Sequence, residues 1–360
     1  MLKWVLKNMD LSNIWLYIGV LNIVYFITFF SFKFILKLEW TKYIFDNKVR
    51  KRDIHNGIKP KIGGLVIIPI FILTILIFVA IGNLAWQNEF WGMLLGAIGI
   101  LVYGYMDEKI DLHWSSQFIW QFGIAAIVIW SGVGIQAINL PNGDLWFIDS
   151  YKFFGIVFPQ DIVTAFWIVG LMNVVNWLDG IDGLAGGVGV IGFSTLFLLS
   201  LTLFVNQPHI ALISIILMGI YLGFLQFNWY PSKIFLGTYG SMFLGYMLAI
   251  LSLISGGKIA TSALVLAFPI IDAVVVISQR IWNKKSIFEA DNRHFHHKLL
   301  QSGLSQKVSV LIMYIISIFF GISALILETG GKLIIFFLGM ITLIIISFSM
   351  TKFIVKNNKR

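Results

Sequence analysis

The stretch Asn173-Val-Val-Asn176-Trp-Leu-Asp179-Gly-Ile-Asp182-Gly-Leu-Ala-Gly-Gly187 follows directly on an apolar run. Two carboxamides and two carboxylates therefore stand where a lipid-buried helix meets water. Ionisable groups in that setting usually mark a pathway or an active site. Asp179 and Asp182 are three apart, so they share one face if the helix runs through them. Gly180 and Gly183 allow a turn or the close approach of a bound group. The plainer alternative is a polar helix end with turn glycines, because carboxylates at helix ends are common.

The rest of the chain gives that run its setting. Its 360 residues are 58% hydrophobic and 12% charged, with a mean hydropathy of +0.88. A hydrocarbon core takes about 20 apolar residues per helix, and many runs here reach that length. The composition predicts an all-α polytopic membrane protein of about eleven transmembrane helices, one membrane domain over 1–360. The spans fall at roughly 13–36, 64–83, 90–106, 117–135, 161–178, 184–205, 209–228, 240–256, 260–282, 308–327 and 332–355. The first run, Ile14 to Leu36, is too long for a cleavable signal and lacks a small-residue cleavage site, so it reads as a span. The chain has no cysteine, which excludes disulfides, thiolate metal sites and a cysteine nucleophile.

Positive charge sets the orientation. The loop after the first span carries Lys37, Lys42, Lys48, Arg50, Lys51, Arg52, Lys59 and Lys61. The loop after the ninth carries Lys284, Lys285, Arg293, Lys298 and Lys307, and the tail carries Lys356, Lys359 and Arg360. The opposite loops at 83–89 and 206–209 have no basic residue. The pattern predicts an N-terminus outside, a cytoplasmic C-terminus and a cytoplasmic face built from loops at about 37–63, 107–116, 176–183, 229–241 and 283–307. Asn142-Gly143, between short apolar runs, predicts a small β-hairpin on the outer face. No internal repeat stands out, which weakens an inverted-repeat transporter reading.

The polar clusters gather on that predicted inner face. Lys59-Pro-Lys-Ile-Gly63-Gly64 suits a tight helix start, where free N–H groups favour anions, or a basic turn against lipid headgroups. Asp107-Glu108 ends the third span. Adjacent carboxylates there suit Mg²⁺, an oxygen-seeking ion, or a general base; Asp111 reads as a solvated loop charge. Gly237-Thr238-Tyr239-Gly240-Ser241 is a glycine-punctuated loop able to cradle phosphate, or an ordinary helix entry. Asp272 lies inside the ninth span, where a buried acid faces a partner or a cavity; Arg280 follows it. Arg293-His294-Phe295-His296-His297 places three of six histidines within four residues. His294 and His297 have helix-face spacing for zinc, without a cysteine to complete a set; with Arg293 they equally suit a diphosphate. His55, His113 and His209 read as ordinary loop residues.

These clusters, in this order over about residues 45–305, resemble the polyprenyl-phosphate N-acetylhexosamine-1-phosphate transferase superfamily (glycosyltransferase family 4). His294-Phe-His296-His297 looks like the His-x-His-His motif of its branch that uses UDP-GlcNAc, as opposed to the branch that uses UDP-MurNAc-pentapeptide. The resemblance implies transfer of an N-acetylhexosamine 1-phosphate, GlcNAc-1-phosphate in that branch, from a UDP-sugar to undecaprenyl phosphate. UMP is released, and a cell-envelope polysaccharide is begun. It implies a multi-pass protein of the bacterial plasma membrane with a cytoplasmic site, Mg²⁺ (or Mn²⁺) as cofactor and no nucleic-acid partner; a homodimer is left open as the assembly.

By the same resemblance Asp107, Glu108 and Asp182 are the expected catalytic groups, with Asp107 placing the lipid phosphate. Asn176, Asp179 and Asp182 are the expected metal ligands. Lys59, Asn173, Arg280, Arg293, His294, His296 and His297 are the expected substrate contacts. Two departures stand out. The family's Asp-Asp is Asp107-Glu108 here, and its Gly-Asp-x-Gly-Ser is Gly237-Thr238-Tyr239-Gly240-Ser241, so a metal-ligand aspartate is replaced by Thr238. That loss motivates one alternative, a catalytically silent membrane scaffold. The other is a polyprenyl-lipid transporter, which requires charge near the bilayer midplane.

Overall fold

The computed structural model describes residues 9–38, 59–140, 144–148, 151–153, 156–203, 205–254, 259–284, 286 and 294–357. In chain order these form α1 (Ile14–Ile35), α2 (Gly63–Ala80), α3 (Asn88–Ile110), α4 (Trp114–Trp130), β1 (Ala137–Asn139), β2 (Leu145–Phe147), β3 (Tyr151–Phe153) and β4 (Ile156–Phe158). Then follow α5 (Gln160–Leu178), α6 (Leu184–Ser200), α7 (Pro208–Asn228), α8 (Gly237–Ile254), α9 (Ile259–Val265), α10 (Ala267–Trp282), α11 (Phe295–Gln301), α12 (Gln306–Ile326) and α13 (Thr329–Asn357).

The apolar runs are helical because a segment in hydrocarbon must satisfy its own backbone groups. Among the described residues eight helices are long and apolar enough to cross a membrane: α1, α2, α3, α5, α7, α8, α12 and α13. The expected ninth span is two helices. Pro269 explains the break: its ring collides with the carbonyl four residues back, that of Val265, where α9 stops. It is tolerated in the first turn of α10, where a missing N–H breaks no bond.

α8 is the central helix, buried along nearly its whole length and packed by α2, α3, α5 and α6. Glycines let those neighbours close on it. A Cβ on Gly104 of α3 or Gly64 of α2 would lie 2.2 Å from the Tyr239 side chain. A Cβ on Gly245 would lie 2.3 Å from the Leu171 carbonyl of α5. α13, by contrast, buries few of its residues, as a helix facing lipid does. Exposed Trp15, Trp130, Trp114 and Trp282 sit at helix ends, where amphipathic rings anchor to a membrane interface.

Strands β1 and β2 pair antiparallel, Ala137 opposite Phe147 and Asn139 opposite Leu145. This is the expected hairpin; its Asn142-Gly143 turn lies outside the described residues. A second hairpin, β3 with β4, sets Tyr151 opposite Phe158. Three-residue strands are too short for alternation to reveal them in a sequence.

Candidate active site

The ends of α3, α5 and α7 and the starts of α2, α6 and α8 meet at one end of the bundle. Two loop segments are laced there by backbone bonds. Phe235 N donates to Pro60 O, Gly63 N to Phe235 O and Gly64 N to Leu236 O, each at 3.0 Å. The reading of Gly63-Gly64 as a helix start with free N–H groups for an anion is thereby corrected, because both groups are used. Glycine is needed for the close approach instead: a Cβ on Gly63 would lie 2.7 Å from Leu236 Cα.

Asn228, the last residue of α7, ties the next loop. Its Oδ1 accepts from Gly183 N at 3.0 Å and its Nδ2 donates to Ile234 O at 2.9 Å. Gly183 has φ +82°, a conformation that favours glycine. Tyr314 of α12 donates to the Gly183 carbonyl at 2.5 Å. The loop from Asp179 to Gly183 is therefore gripped from two sides.

Within this frame acids and lysines interleave. Glu108 Oε1 accepts from both Thr238 N and Thr238 Oγ1 at 3.0 Å. Lys61 Nζ stands 3.5 Å from Glu108 Oε2. Asp182, 2% exposed, accepts at Oδ2 from Ser232 N at 2.9 Å, with Lys59 Nζ at 3.7 Å. Lys59 also donates to Ser232 Oγ at 3.1 Å. Asp107, 3% exposed, accepts from Gln117 Nε2 at 2.8 Å. Asn176 Oδ1 accepts from Ser241 Oγ at 2.8 Å. Burial, then the charges of Asp182 and Glu108, push the Asp179 carboxyl up to about 7, while Lys61 pulls the other way. Among the described residues Asp182 and Glu108 thus each have a lysine partner, while the Asp179 carboxyl is the one held above its usual range.

The histidine segment reaches this loop through a different anchor. His294 Nδ1 lies 2.9 Å from Asp272 Oδ2, and Phe295 N donates to Asp272 Oδ1 at 2.8 Å. The His294 ring lies parallel to His296, centroids 5.7 Å apart, and tilted against Trp177 at 6.2 Å. His296 packs on Gly180: a Cβ there would meet its Nε2 at 2.2 Å. His296 is fully buried, and neither ring nitrogen has a hydrogen-bond partner among the described residues. Burial, then His297 and His294, hold its imidazole well below the usual histidine range.

Asp272 is therefore linked through His294 and His296 to the Asp179–Asp182 loop, and α10 continues ten residues, roughly 15 Å, past it. Arg280 is buried in the last turn of α10. Asn173 does not join the cluster; its amide pairs with Gln121, donating to Oε1 at 2.6 Å. Arg293 and His55 lie outside the described residues. Asp111 is exposed, and His113 caps α4, accepting from Ser115 N at 3.4 Å. Sequence reasoning left Lys61, Gln117, Asn228, Ser232 and Tyr314 without a role. Only Lys61 carried a signal, by sharing its motif with Lys59.

Among the described residues no three acidic or histidine side chains converge to hold an ion by themselves. The expected donors Asn176, Asp179 and Asp182 nonetheless offer oxygen alone, which fits Mg²⁺, an ion bound through one or two carboxylates and completed by substrate phosphates.

Comparison with known proteins bears on the same residues. Residues 90–256 match the family described as Glycosyl transferase family 4. The chain is 32% identical over 285 residues to a Bacillus subtilis (strain 168) protein named probable undecaprenyl-phosphate N-acetylglucosaminyl 1-phosphate transferase. That match covers 78% of this chain and 76% of the relative. It is 29% identical over 294 residues to the decaprenyl-phosphate N-acetylglucosaminephosphotransferase of Mycobacterium leprae (strain TN), covering 74% and 72%. It is 28% identical over 323 residues to a phospho-N-acetylmuramoyl-pentapeptide-transferase of Prochlorococcus marinus (strain MIT 9312), covering 83% and 87%.

Proposed function

Because the chain belongs to glycosyl transferase family 4, we propose that its charged end performs the transfer for which its relatives are named. The enzyme moves an N-acetylhexosamine 1-phosphate from a UDP-sugar to a polyprenyl phosphate. We take the donor to be UDP-GlcNAc and the acceptor undecaprenyl phosphate. An acceptor phosphate oxygen bonds to the sugar-bearing phosphorus of the donor. The bond from that phosphorus to the bridging oxygen breaks, and UMP leaves with the electron pair.

The carboxylates divide by environment. Asp107, bonded to Gln117 at the end of α3, positions the acceptor phosphate. Polyprenyl phosphate is already largely ionised near pH 7, so placement matters more than deprotonation. Asp179 and Asp182, with Asn176, would hold Mg²⁺, which when bound neutralises charge developing on the diphosphate. Lys59 and Lys61 balance Asp182 and Glu108, and exchange those partners for phosphate oxygens when substrate enters. We assign His294, His296, His297, Arg280 and Arg293 to binding the diphosphate and sugar of the donor. In this reading the whole chain is one domain of eleven crossings, with the site on the cytoplasmic side.

The observation that carries the reading is the meeting of Lys59–Asp182, Lys61–Glu108 and Asp272–His294 at one end of an apolar bundle. It also weighs against the alternatives. A transporter needs its charges near the midplane, whereas Asp272 is bonded to His294, next to the histidine that packs on the helix-end loop. A silent scaffold was motivated by Thr238, yet a carboxylate, Glu108, is bonded to that residue. The test is purified protein with radiolabelled UDP-GlcNAc, undecaprenyl phosphate and Mg²⁺. Lipid-soluble label and released UMP are expected; neither product from any UDP-N-acetylhexosamine would end the proposal.

A further inference from the structure

Asp272 has no role in the transfer as described, yet it makes two directed contacts from one carboxylate. We propose that Asp272 is a positioning residue for the donor half of the site, holding His294 in one tautomer and fixing the start of α11 against the Asp179–Asp182 loop. The proposal rests on the transferase reading above.

A carboxylate only accepts hydrogen bonds. The 2.9 Å contact to Asp272 Oδ2 therefore requires the hydrogen on His294 Nδ1, which leaves Nε2 as the nitrogen available to a ligand. Carboxylate partners fix histidine tautomers in the same way beside metals. A residue serving only to cap α11 would need one bond to the backbone, and Oδ1 on Phe295 N supplies it. The second oxygen is spent on the imidazole. The middle of α11 is also held, since Lys298 Nζ donates to Ser347 Oγ of α13. A short helix held at its start and its middle keeps His296, stacked on His294, against Gly180.

The test separates the carboxylate's two contacts. Asp272→Asn keeps an oxygen for Phe295 N and loses the anionic acceptor; Asp272→Leu loses both. In Asp272→Asn the KM for UDP-GlcNAc is expected to rise about tenfold, equivalent to ~1.4 kcal/mol. kcat and the KM for undecaprenyl phosphate should stay within about twofold, the signature of lost uniform binding. In a His294→Phe background Asp272→Asn should add nothing. An unchanged donor KM, equal rises for both substrates, or full additivity with His294→Phe would overturn the proposal. Nitrogen-15 spectra of ring-labelled histidine give a readout without turnover, tractable with six histidines. An Nδ1–H signal lost alike in Asp272→Leu and His294→Phe supports the contact; its survival in Asp272→Leu refutes it. If the wild type turns over no UDP-sugar, the transferase reading falls while the spectra still decide the contact.

Discussion

Replacing Thr238 by aspartate tests whether positions 108 and 238 share a single carboxylate. Thr238 now gives Glu108 Oε1 two bonds at 3.0 Å, one from its backbone and one from its hydroxyl. Thr238→Asp removes the hydroxyl donor to a charged acceptor, worth about 1.5–3 kcal/mol. It also sets two carboxylates about 4 Å apart, a repulsion of about 4 kcal/mol at an effective dielectric near 20. Lys61, 3.5 Å from Glu108, offsets part of this, and a net cost of about 3–5 kcal/mol remains. Glu108→Gln alone fails for the opposite reason, since neither position then carries charge. Thr238→Asp with Glu108→Gln moves the carboxylate across the contact, and the amide introduced at position 108 can donate to it. The four proteins are compared by melting temperature in detergent and by transfer rate. Each single variant should lose at least about a hundredfold in rate, the scale of ~2.7 kcal/mol. Thr238→Asp should also melt lower, and the double variant should recover at least about tenfold over either single. A double variant no better than the worse single, with Thr238→Asp melting normally, would refute the shared-carboxylate argument.

Three further outcomes are expected. Asp107→Asn and Asp182→Asn should each lower turnover by at least about a hundredfold, while Asp107→Asn keeps UDP-sugar binding; near-normal transfer by Asp107→Asn removes its role. His296 stays neutral in the fold, whereas the unfolded chain takes up a proton below about pH 6.5, so this residue's contribution is lost as pH falls below that value, by at most about 1.4 kcal/mol per unit. From pH 7 to 5 the wild type should therefore lose more melting temperature than His296→Gln, and parallel curves would contradict a buried neutral imidazole. Single cysteines placed at 37–61 or 283–307 in this cysteine-free chain should resist an impermeant reagent in intact cells; labelling there would reverse the proposed orientation.

The acids of the site could be read from the sequence because each interrupts or ends an apolar run, where an ionisable group is conspicuous. The lysines could not be sorted in the same way. Lys59 and Lys61 close a long basic loop, and nothing in its composition says which two fold back onto Asp182 and Glu108. Gly63 and Gly64 are visible as glycines, but the loop segment that takes their N–H groups, Phe235-Leu236, lies some 170 residues away, so the sequence does not show their purpose. Asn173 looked like part of the Asn176–Asp182 cluster. It lies six residues before Asp179, about 9 Å deeper along α5, and so finds Gln121 instead. The residues on both sides of Pro269, from Ala263 to Ile271, are all apolar, so hydropathy does not mark the break that Pro269 makes. The pairing of Glu108 with Thr238 needed three dimensions, since it joins two departures 130 residues apart in the chain.

The grip on Gly183 has a consequence for how the protein is made. Its amide is held by Asn228 and its carbonyl by Tyr314, 131 residues downstream. Chains emerge from the ribosome N-terminus first, at about 5–20 residues per second. The acidic loop after α5 therefore reaches the membrane surface well before α12 exists to secure it. For at least several seconds Asp179 and Asp182 belong to a bundle whose α8 and α12 are still missing. The fixed shape of this loop is then acquired late, and a chain stopped before Tyr314 would insert its early helices yet lack that grip.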